Sequence, residues 1–117
     1  FKFNRLNIIE FNEFSKLEIK VGTIKKAENV SGAAKLVKLI VNLGNEERQI
    51  VAGLAQHYSL DELINKEIIV LTNLTPKKMF GLESQGMLLA AVDGDKVSLL
   101  KTDKEVRPGT SVGEIYF

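Results

Sequence analysis

The sequence has no cysteine and no tryptophan, and its 117 residues include two prolines and one histidine, His57. The absence of cysteine excludes disulfide frameworks, iron–sulfur clusters and cysteine nucleophiles, and a single histidine is too few for the usual zinc sites. No apolar run approaches the roughly 18 residues of a membrane-spanning helix, and no secretory signal pattern is present. We therefore expect a cytoplasmic protein with no membrane partner, no metal and no other cofactor.

Sequence patterns that carry catalysis are also missing. There is no Walker-type phosphate loop and no dinucleotide-binding glycine fingerprint. Asp93 and Asp95 flank Gly94, an arrangement that turn formation explains better than metal binding. Because no nucleophile is paired with a base, we predict a non-catalytic protein with no catalytic residues.

Charge is nearly balanced overall, with a net charge of +1, but it is unevenly distributed. Residues 1–40 contain eight Lys or Arg against four Glu, whereas residues 41–117 contain eight basic against eleven acidic side chains. A basic first third permits a polyanionic partner without requiring one, because an ordinary solvated surface explains it equally well.

Short runs of aliphatic and β-branched residues predict strands over most of the chain. The predicted strands cover 19–24, 36–43, 48–52, 68–72, 87–92 and 96–100, with a closing strand over 114–117. Ser59 and Glu62 form a capping box, which predicts a short helix over 60–65. A second short helix is predicted from the three-residue spacing of the apolar side chains Ile8, Phe11, Phe14 and Leu17.

Five strands with one helix between the third and fourth are typical of the OB-fold, a five-stranded Greek-key barrel. The predicted fold class is therefore all-β. We predict a single domain that spans residues 1–117, and within it an N-terminal helical segment (1–17), the barrel (18–92) and a C-terminal extension (93–117).

The ligand surface of an OB-fold comprises the face of strands 2 and 3 with the loops that join strands 1–2 and 4–5. By composition these loops are 28–35 and 73–86. The second contains two adjacent lysines after Pro76, several neutral donors and two side chains that offer apolar surface to a base, Phe80 and Met87. The alternative is a core position, which we favour for Phe80 and leave open for Met87.

The predicted binding residues fall into three groups. One group neutralises phosphates, the second positions the RNA backbone or an exposed base, and the third shapes a pocket at the base of the loop. In that order, they are Lys35, Lys77 and Lys78; Arg48 and Asn73; and Ser84 and Met87.

The run from Asn73 to Ala91 resembles the signature of the tRNA-binding domain family. Members of that family lie at the C-terminus of methionyl-tRNA synthetases or occur as free-standing tRNA-binding proteins. Further matches are at 19–22, 35–36 and 48–54. Two positions depart from the family pattern: Ala34 replaces a usual Asp, which leaves open how firmly Lys35 is held, and Lys20 replaces an Arg, which loses the bidentate fork.

The resemblance implies non-catalytic, largely sequence-independent binding of tRNA by its shape, in support of a methionyl-tRNA synthetase catalytic chain in cis or in trans. It also implies a homodimer that uses the N-terminal segment and the C-terminal extension, 93–117. The alternative is a dimeric peptide-binding protein with a chaperone or export role, similar to CsaA. The stretch from Ser84 to Ala91 favours tRNA.

Overall fold

The computed structural model describes residues 7–114, and nearly half of them lie in antiparallel strands. The helices are α1 (Phe11–Phe14) and α2 (Leu60–Leu63). The strands are β1 (Ile19–Val30), β2 (Ala33–Asn42), β3 (Glu47–Ala52), β4 (Glu67–Leu71), β5 (Lys77–Met79), β6 (Leu82–Ser84), β7 (Met87–Leu88), β8 (Ala90–Asp93), β9 (Lys96–Leu99) and β10 (Ser111–Val112).

The main sheet has the order β3-β2-β1-β4-β7, with α2 between β3 and β4 in the chain. Its two outer strands approach each other where the backbone N–H of Gln85, just before β7, donates to the carbonyl of Gln49 in β3, at 2.9 Å. This strand order and helix position are those of an OB-like, partly open barrel. The predicted all-β fold class is confirmed.

Strand β1 is long because it serves two neighbours. Its first half pairs with β4 from Ile19 to Thr23, and its second half pairs with β2 up to Val30. Register shifts after Ile24 and after Asn29 bend the strand between these partners. Just before the first shift, a Cβ on Gly22 would lie 2.7 Å from Cγ1 of Val41, so any other residue here would require β1 and β2 to move apart.

The core fills the inside of this curved sheet, and α2 covers one end. Ten buried side chains form the main cluster: Ile24, Val37, Leu39, Val41, Leu43, Ile50, Leu54, Leu63, Ile68 and Val70. Leu63 is contributed by α2, whose first turn is closed by the predicted capping box: Ser59 Oγ accepts from the N–H of Glu62 at 3.2 Å, and Glu62 Oε1 accepts from the N–H of Ser59 at 3.1 Å.

Two loop predictions were wrong in extent. The segment 28–35 is mostly strand, because β1 continues to Val30 and only Ser31 and Gly32 separate it from β2. Its polar composition reflects a solvated sheet face, on which Glu28 and Lys38 form a cross-strand ion pair at 3.2 Å. The segment 73–86 contains the β5–β6 hairpin.

The predicted fifth strand, 87–92, is divided at Leu89. Its first part, β7, pairs with β4, whereas β8 turns away and pairs with β9. The hydroxyl of Tyr58 holds that second hairpin by accepting from the N–H of Leu99 at 3.0 Å. One apolar run therefore contributes to two sheets.

The predicted N-terminal helix over 8–17 is also shorter than expected, since α1 is one turn long. Beyond α1, the carbonyl of Lys16 and the N–H of Glu18 form hydrogen bonds with the side chain of Asn73 instead of continuing the helix. At the other end, β10 pairs with the start of β1, at Ile19 and Lys20. Of the predicted closing strand, Glu114 lies outside any strand, and 115–117 lie outside the described residues.

Candidate functional site

The β5–β6 hairpin is held against β3 by its inward-facing side chains. Met79 and Leu82 are cross-strand partners, and both pack on a small apolar cluster formed by Val30, Ala33 and Val51. Since Val30 and Ala33 flank the β1–β2 turn, this cluster joins the ends of the two predicted ligand connectors. The two connectors therefore lie side by side at one edge of the sheet.

A pocket of about 330 Å³ opens between this hairpin and β3. Its wall is mainly apolar, and lysine, threonine and serine contribute the polar side chains. The lining residues are Val51, Ala52, Gly53, Leu54, Leu74, Thr75, Lys77, Met79, Ser84, Gly86, Met87, Leu88, Ala90 and Leu99. A concave apolar surface with a few polar groups is the usual form of a ligand site.

The three predicted phosphate-binding lysines are exposed around this region. Lys77 lines the pocket, and Lys78 lies on the opposite face of the hairpin, across from Glu83. The carbonyl of Lys35 accepts from the N–H of Ala55 at 3.2 Å, which places its backbone beside the pocket wall formed by Leu54.

Arg48 uses its guanidinium within the protein. Its Nε and Nη2 donate to the two carboxylate oxygens of Glu46, at 2.7 and 3.3 Å. Its Nη1 donates to the carbonyls of Thr72 and Gln85. Because those carbonyls stand at the two ends of the segment 73–84, Arg48 fixes the span of the whole binding loop.

The Arg48 guanidinium also affects the acidity of its partner. Its hydrogen bond to the Glu46 carboxylate holds the pKa of Glu46 below the usual value of 4.5, and the positive charges of Arg48 and Lys20 act in the same direction. The ionised carboxylate is thus the form that the folded protein favours.

Asn73 joins the start of the binding loop to the N-terminal segment. Its Oδ1 accepts from the N–H of Glu18 at 2.9 Å, and its Nδ2 donates to the carbonyl of Lys16 at 2.6 Å. Both ends of the amide are therefore used inside the chain.

Ser84 is 5% exposed, and its Oγ accepts from the N–H of Val51 at 2.9 Å. Next to it, Gln85 Oε1 accepts from the N–H of Gln49 at 3.2 Å, and Gln49 Nε2 donates to the carbonyl of Glu83 at 3.0 Å. These bonds replace a regular strand ladder between β3 and the end of the loop, and they hold the pocket open at its base.

Met87 and Phe80 are the exposed apolar side chains of the region. Met87 lines the pocket and is 44% exposed, so the question left open by the sequence is decided in favour of surface. Phe80 is 67% exposed, and the expectation that it belongs to the core is wrong. The polar, glycine-containing composition of 73–86 predicts a loop and gives no signal for the hairpin that places Phe80 at an exposed tip.

An OB-like fold with an apolar pocket and lysines beside it belongs to a class of domains that bind oligonucleotides or oligosaccharides. Comparison with known proteins identifies the family. Residues 19–111 match the model described as "Putative tRNA binding domain", and the chain belongs to this tRNA-binding domain family. Since the family is a binding domain, the predicted non-catalytic character of this chain agrees with it.

The relatives include a methionine–tRNA ligase, a MetRS-related protein and a CsaA chaperone protein. The chain is 49% identical to the methionine–tRNA ligase of Thermotoga maritima over 91% of its own length but only 17% of the ligase. Among solved structures, a MetRS-related protein from Pyrococcus horikoshii has 47% identity and a TM-score of 0.85, covering 91% of this chain and 98% of that one. The CsaA chaperone protein of Picrophilus torridus has 36% identity and a TM-score of 0.83, covering 91% and 100%.

None of the helices formed by residues 7–114 combines the length and apolar character needed to cross a membrane.

Proposed function

We propose that this chain binds tRNA largely by shape and charge, without strong sequence preference, and that it assists a methionyl-tRNA synthetase in cis or in trans. The observation that supports this most directly is the pair Lys77 and Lys78 on a hairpin held beside an apolar pocket, at the ligand-binding edge of an OB-like fold. Methionine–tRNA ligases are among the relatives, and the chain corresponds to less than a fifth of their length. A translation role is consistent with a cytoplasmic location.

The predicted site residues have three roles in this proposal. Lys35, Lys77 and Lys78 neutralise phosphates, since their side chains are exposed and can reach a bound RNA. Met87 offers a polarizable surface to a base. Arg48, Asn73 and Ser84 act as positioning residues, since their polar atoms are used to hold the loop.

The proposal is tested by titrating bulk tRNA with the wild type and with a Lys77→Ala/Lys78→Ala double variant at several salt concentrations. Removing a single lysine–phosphate interaction lowers the slope of log affinity against log salt by roughly 0.7 to 0.9. We expect weaker binding and a slope shallower by up to about 1.8 for the two lysines together. Unchanged affinity and slope would refute the lysine site.

A matched control removes the same number of charges elsewhere. Lys101 and Lys104 line a separate polar pocket beside the C-terminal segment and share no pocket with the hairpin lysines. The Lys101→Ala/Lys104→Ala double variant should retain tRNA affinity within about two-fold. An equal loss in both double variants would show that only net charge matters, against a localised site.

A second candidate function is peptide binding in the manner suggested by the CsaA relatives. The observation in its favour is the apolar wall of the pocket, which includes Leu74, Met79 and Leu99. Binding of an unfolded polypeptide with no affinity for tRNA would establish this function instead. If tRNA instead displaces the polypeptide from the same face of the protein, the first function, tRNA binding, is favoured.

We also propose that the chain forms a homodimer through its N-terminal segment and C-terminal extension. Around α1, the apolar side chains of Ile8, Phe11 and Leu17 are left exposed by the other described residues. Val112, in β10 next to the start of β1, is also exposed. A second copy of the chain would cover this surface and present two RNA-binding faces, which raises affinity through avidity where both engage one RNA.

A further inference from the structure

Phe80 stands at the tip of the β5–β6 hairpin, in the two-residue turn that it forms with Gly81. The backbone φ angles of these residues are +51° and +79°. Positive φ at both central positions is the hallmark of a type I′ turn, for which Asn-Gly, Asp-Gly and Gly-Gly are the favoured sequences. An aromatic residue is disfavoured in this backbone conformation because its Cβ is crowded.

Core packing does not explain the phenylalanine either. Its side chain is 67% exposed, the largest exposure among the described phenylalanines. The hairpin is held on β3 by Met79 and Leu82 instead. Phe80 is therefore unfavourable in its turn type, and burial of its side chain does not compensate for that cost. Backbone strain at an exposed position of this kind points to a functional contact.

The surroundings of Phe80 indicate the nature of that contact. Two lysines, Lys77 and Lys78, immediately precede Met79 on the same strand. Single-stranded nucleic acid is bound by this combination, in which cationic side chains follow the phosphates and aromatic rings stack on the bases. The bases of a paired A-form helix are already stacked and offer no free face, so an exposed ring can engage only an unpaired or splayed base.

We propose that Phe80 is a base-stacking residue, whose ring packs on an unpaired base of a folded RNA while Lys77 and Lys78 neutralise adjacent phosphates. This inference rests on the proposed RNA binding of the same face. It adds a preference to that function: RNA with exposed loop nucleotides binds more tightly than a fully paired duplex of the same length.

The test uses a substitution that improves the turn and removes the ring. Phe80→Asn creates an Asn-Gly turn, and the thermal midpoint is expected to equal or exceed that of the wild type. Affinity for bulk tRNA should fall about 5- to 150-fold, the range typical of removing a stacking aromatic. The salt dependence should not change, because the substitution removes no charge. Phe80→Trp, which keeps an aromatic face, should retain tRNA affinity.

Two RNA probes distinguish stacking on an unpaired base from general binding to RNA. A tRNA with a fluorescent adenine analogue at an unpaired loop position should change its emission on binding to the wild type and to Phe80→Trp, but not to Phe80→Asn. A blunt, fully paired RNA duplex should bind all three proteins equally. Loss of duplex and tRNA binding in equal measure, or a lowered thermal midpoint of Phe80→Asn, would overturn the stacking role.

The outcomes also separate this inference from the proposed function. If Phe80→Asn binds tRNA as the wild type does while the Lys77→Ala/Lys78→Ala variant does not, the stacking role is wrong and RNA binding stands. If the wild type binds no tRNA, the proposed function itself fails. If Phe80→Asn loses binding of an unfolded polypeptide but not of tRNA, the hairpin tip serves peptides and the inference is wrong.

Discussion

The guanidinium of Arg48 donates hydrogen bonds to oxygen atoms of Glu46, Thr72 and Gln85. It therefore links the end of β4, the start of β7 and the β2–β3 turn through one planar group. A lysine at this position has a single ammonium and would not reach partners in three directions with fixed geometry. The shape of the segment 73–84 thus depends on internal hydrogen bonds of Arg48.

The ion pair between Arg48 and Glu46 makes a pH-dependent contribution to stability. Because the pKa of Glu46 is lower in the folded protein than the usual 4.5, its contribution is present above pH 4.5 and is lost as the pH falls through the folded-state pKa. We expect Glu46→Gln to be less stable than the wild type at pH 7, by at most about 1 kcal/mol, since the pair is partly exposed. The difference should vanish in acid.

Thermal unfolding followed by circular dichroism between pH 3 and pH 7 measures this difference. Glu47→Gln is the matched control, since it removes the same charge one residue away without breaking a hydrogen bond to Arg48. A stability difference for Glu46→Gln that stays constant across the pH range would contradict the assignment.

The exposure of Lys77 and Lys78 was predictable from the sequence, because adjacent lysines after a proline in a polar segment are rarely buried. The internal partners of Asn73 and Ser84 were not. Asn73 binds backbone atoms 55 and 57 positions away, and Ser84 binds a strand 33 positions away. A polar side chain near a loop has the same appearance in a sequence whether it binds a ligand or a distant backbone.

Among the secondary-structure elements, the β2–β3 turn and the C-terminal segment are packed together through two glycines. A Cβ on Gly44 would lie 2.7 Å from the carbonyl oxygen of Pro108, and one on Gly109 would overlap the carbonyl oxygen of Leu43. Both glycines have positive φ, and the N–H of Gly109 donates to the carbonyl of Val21 at 2.7 Å. The C-terminal segment is thereby fixed along β1.

We expect Gly109→Ala to lower the free energy of unfolding by about 2 kcal/mol or more, because it combines an unfavourable backbone angle with a clash against backbone atoms. Urea denaturation provides the measurement. Gly113→Ala is the control, since a Cβ there meets nothing within 4 Å and should change stability little. Similar denaturation midpoints for Gly109→Ala and the wild type would show that the segment does not pack as described.

The strands β2, β3, β4 and β9 and the helix α2 were predicted within about three residues of their observed bounds, because aliphatic and β-branched runs and a capping box are local signals. The second half of β1 was not predicted. The β1–β2 connection was misassigned since the solvated face of a hairpin has the composition of a loop, as the Glu28–Lys38 pair shows. The length of α1 was overestimated, because the apolar spacing does not reveal that Asn73 forms a hydrogen bond with the backbone of Lys16 just after the helix.

At the scale of the whole molecule, the apolar surface around α1 that the other described residues leave exposed leads to a prediction about assembly. Phe11 is 59% exposed and lies 6.2 Å from Phe14, measured between ring centroids. We expect Phe11→Ser to shift the protein from dimer to monomer in light scattering, because the substitution removes an apolar contact between the two copies. The circular dichroism spectrum should not change, since Phe11 lies outside the core of the barrel. The affinity for tRNA should fall as avidity disappears.

Val92→Ser is the corresponding control, since Val92 is also an exposed apolar side chain but lies on the β8–β9 hairpin. It should leave the molecular mass in solution unchanged. A wild type that is monomeric at every concentration would refute the dimer.

The long-range hydrogen bonds of Arg48 and Gln49 have a consequence for protein synthesis. Their partners Thr72 and Gln85 follow 24 and 36 positions later, so a polypeptide growing on the ribosome cannot order the loop 73–84 until Gln85, just before β7, has emerged. Fragments that end between Lys78 and Ser84 would carry Lys35, Arg48, Lys77 and Lys78 but not the contacts of Gln85. Such a fragment would have the charge of the proposed site without its shape.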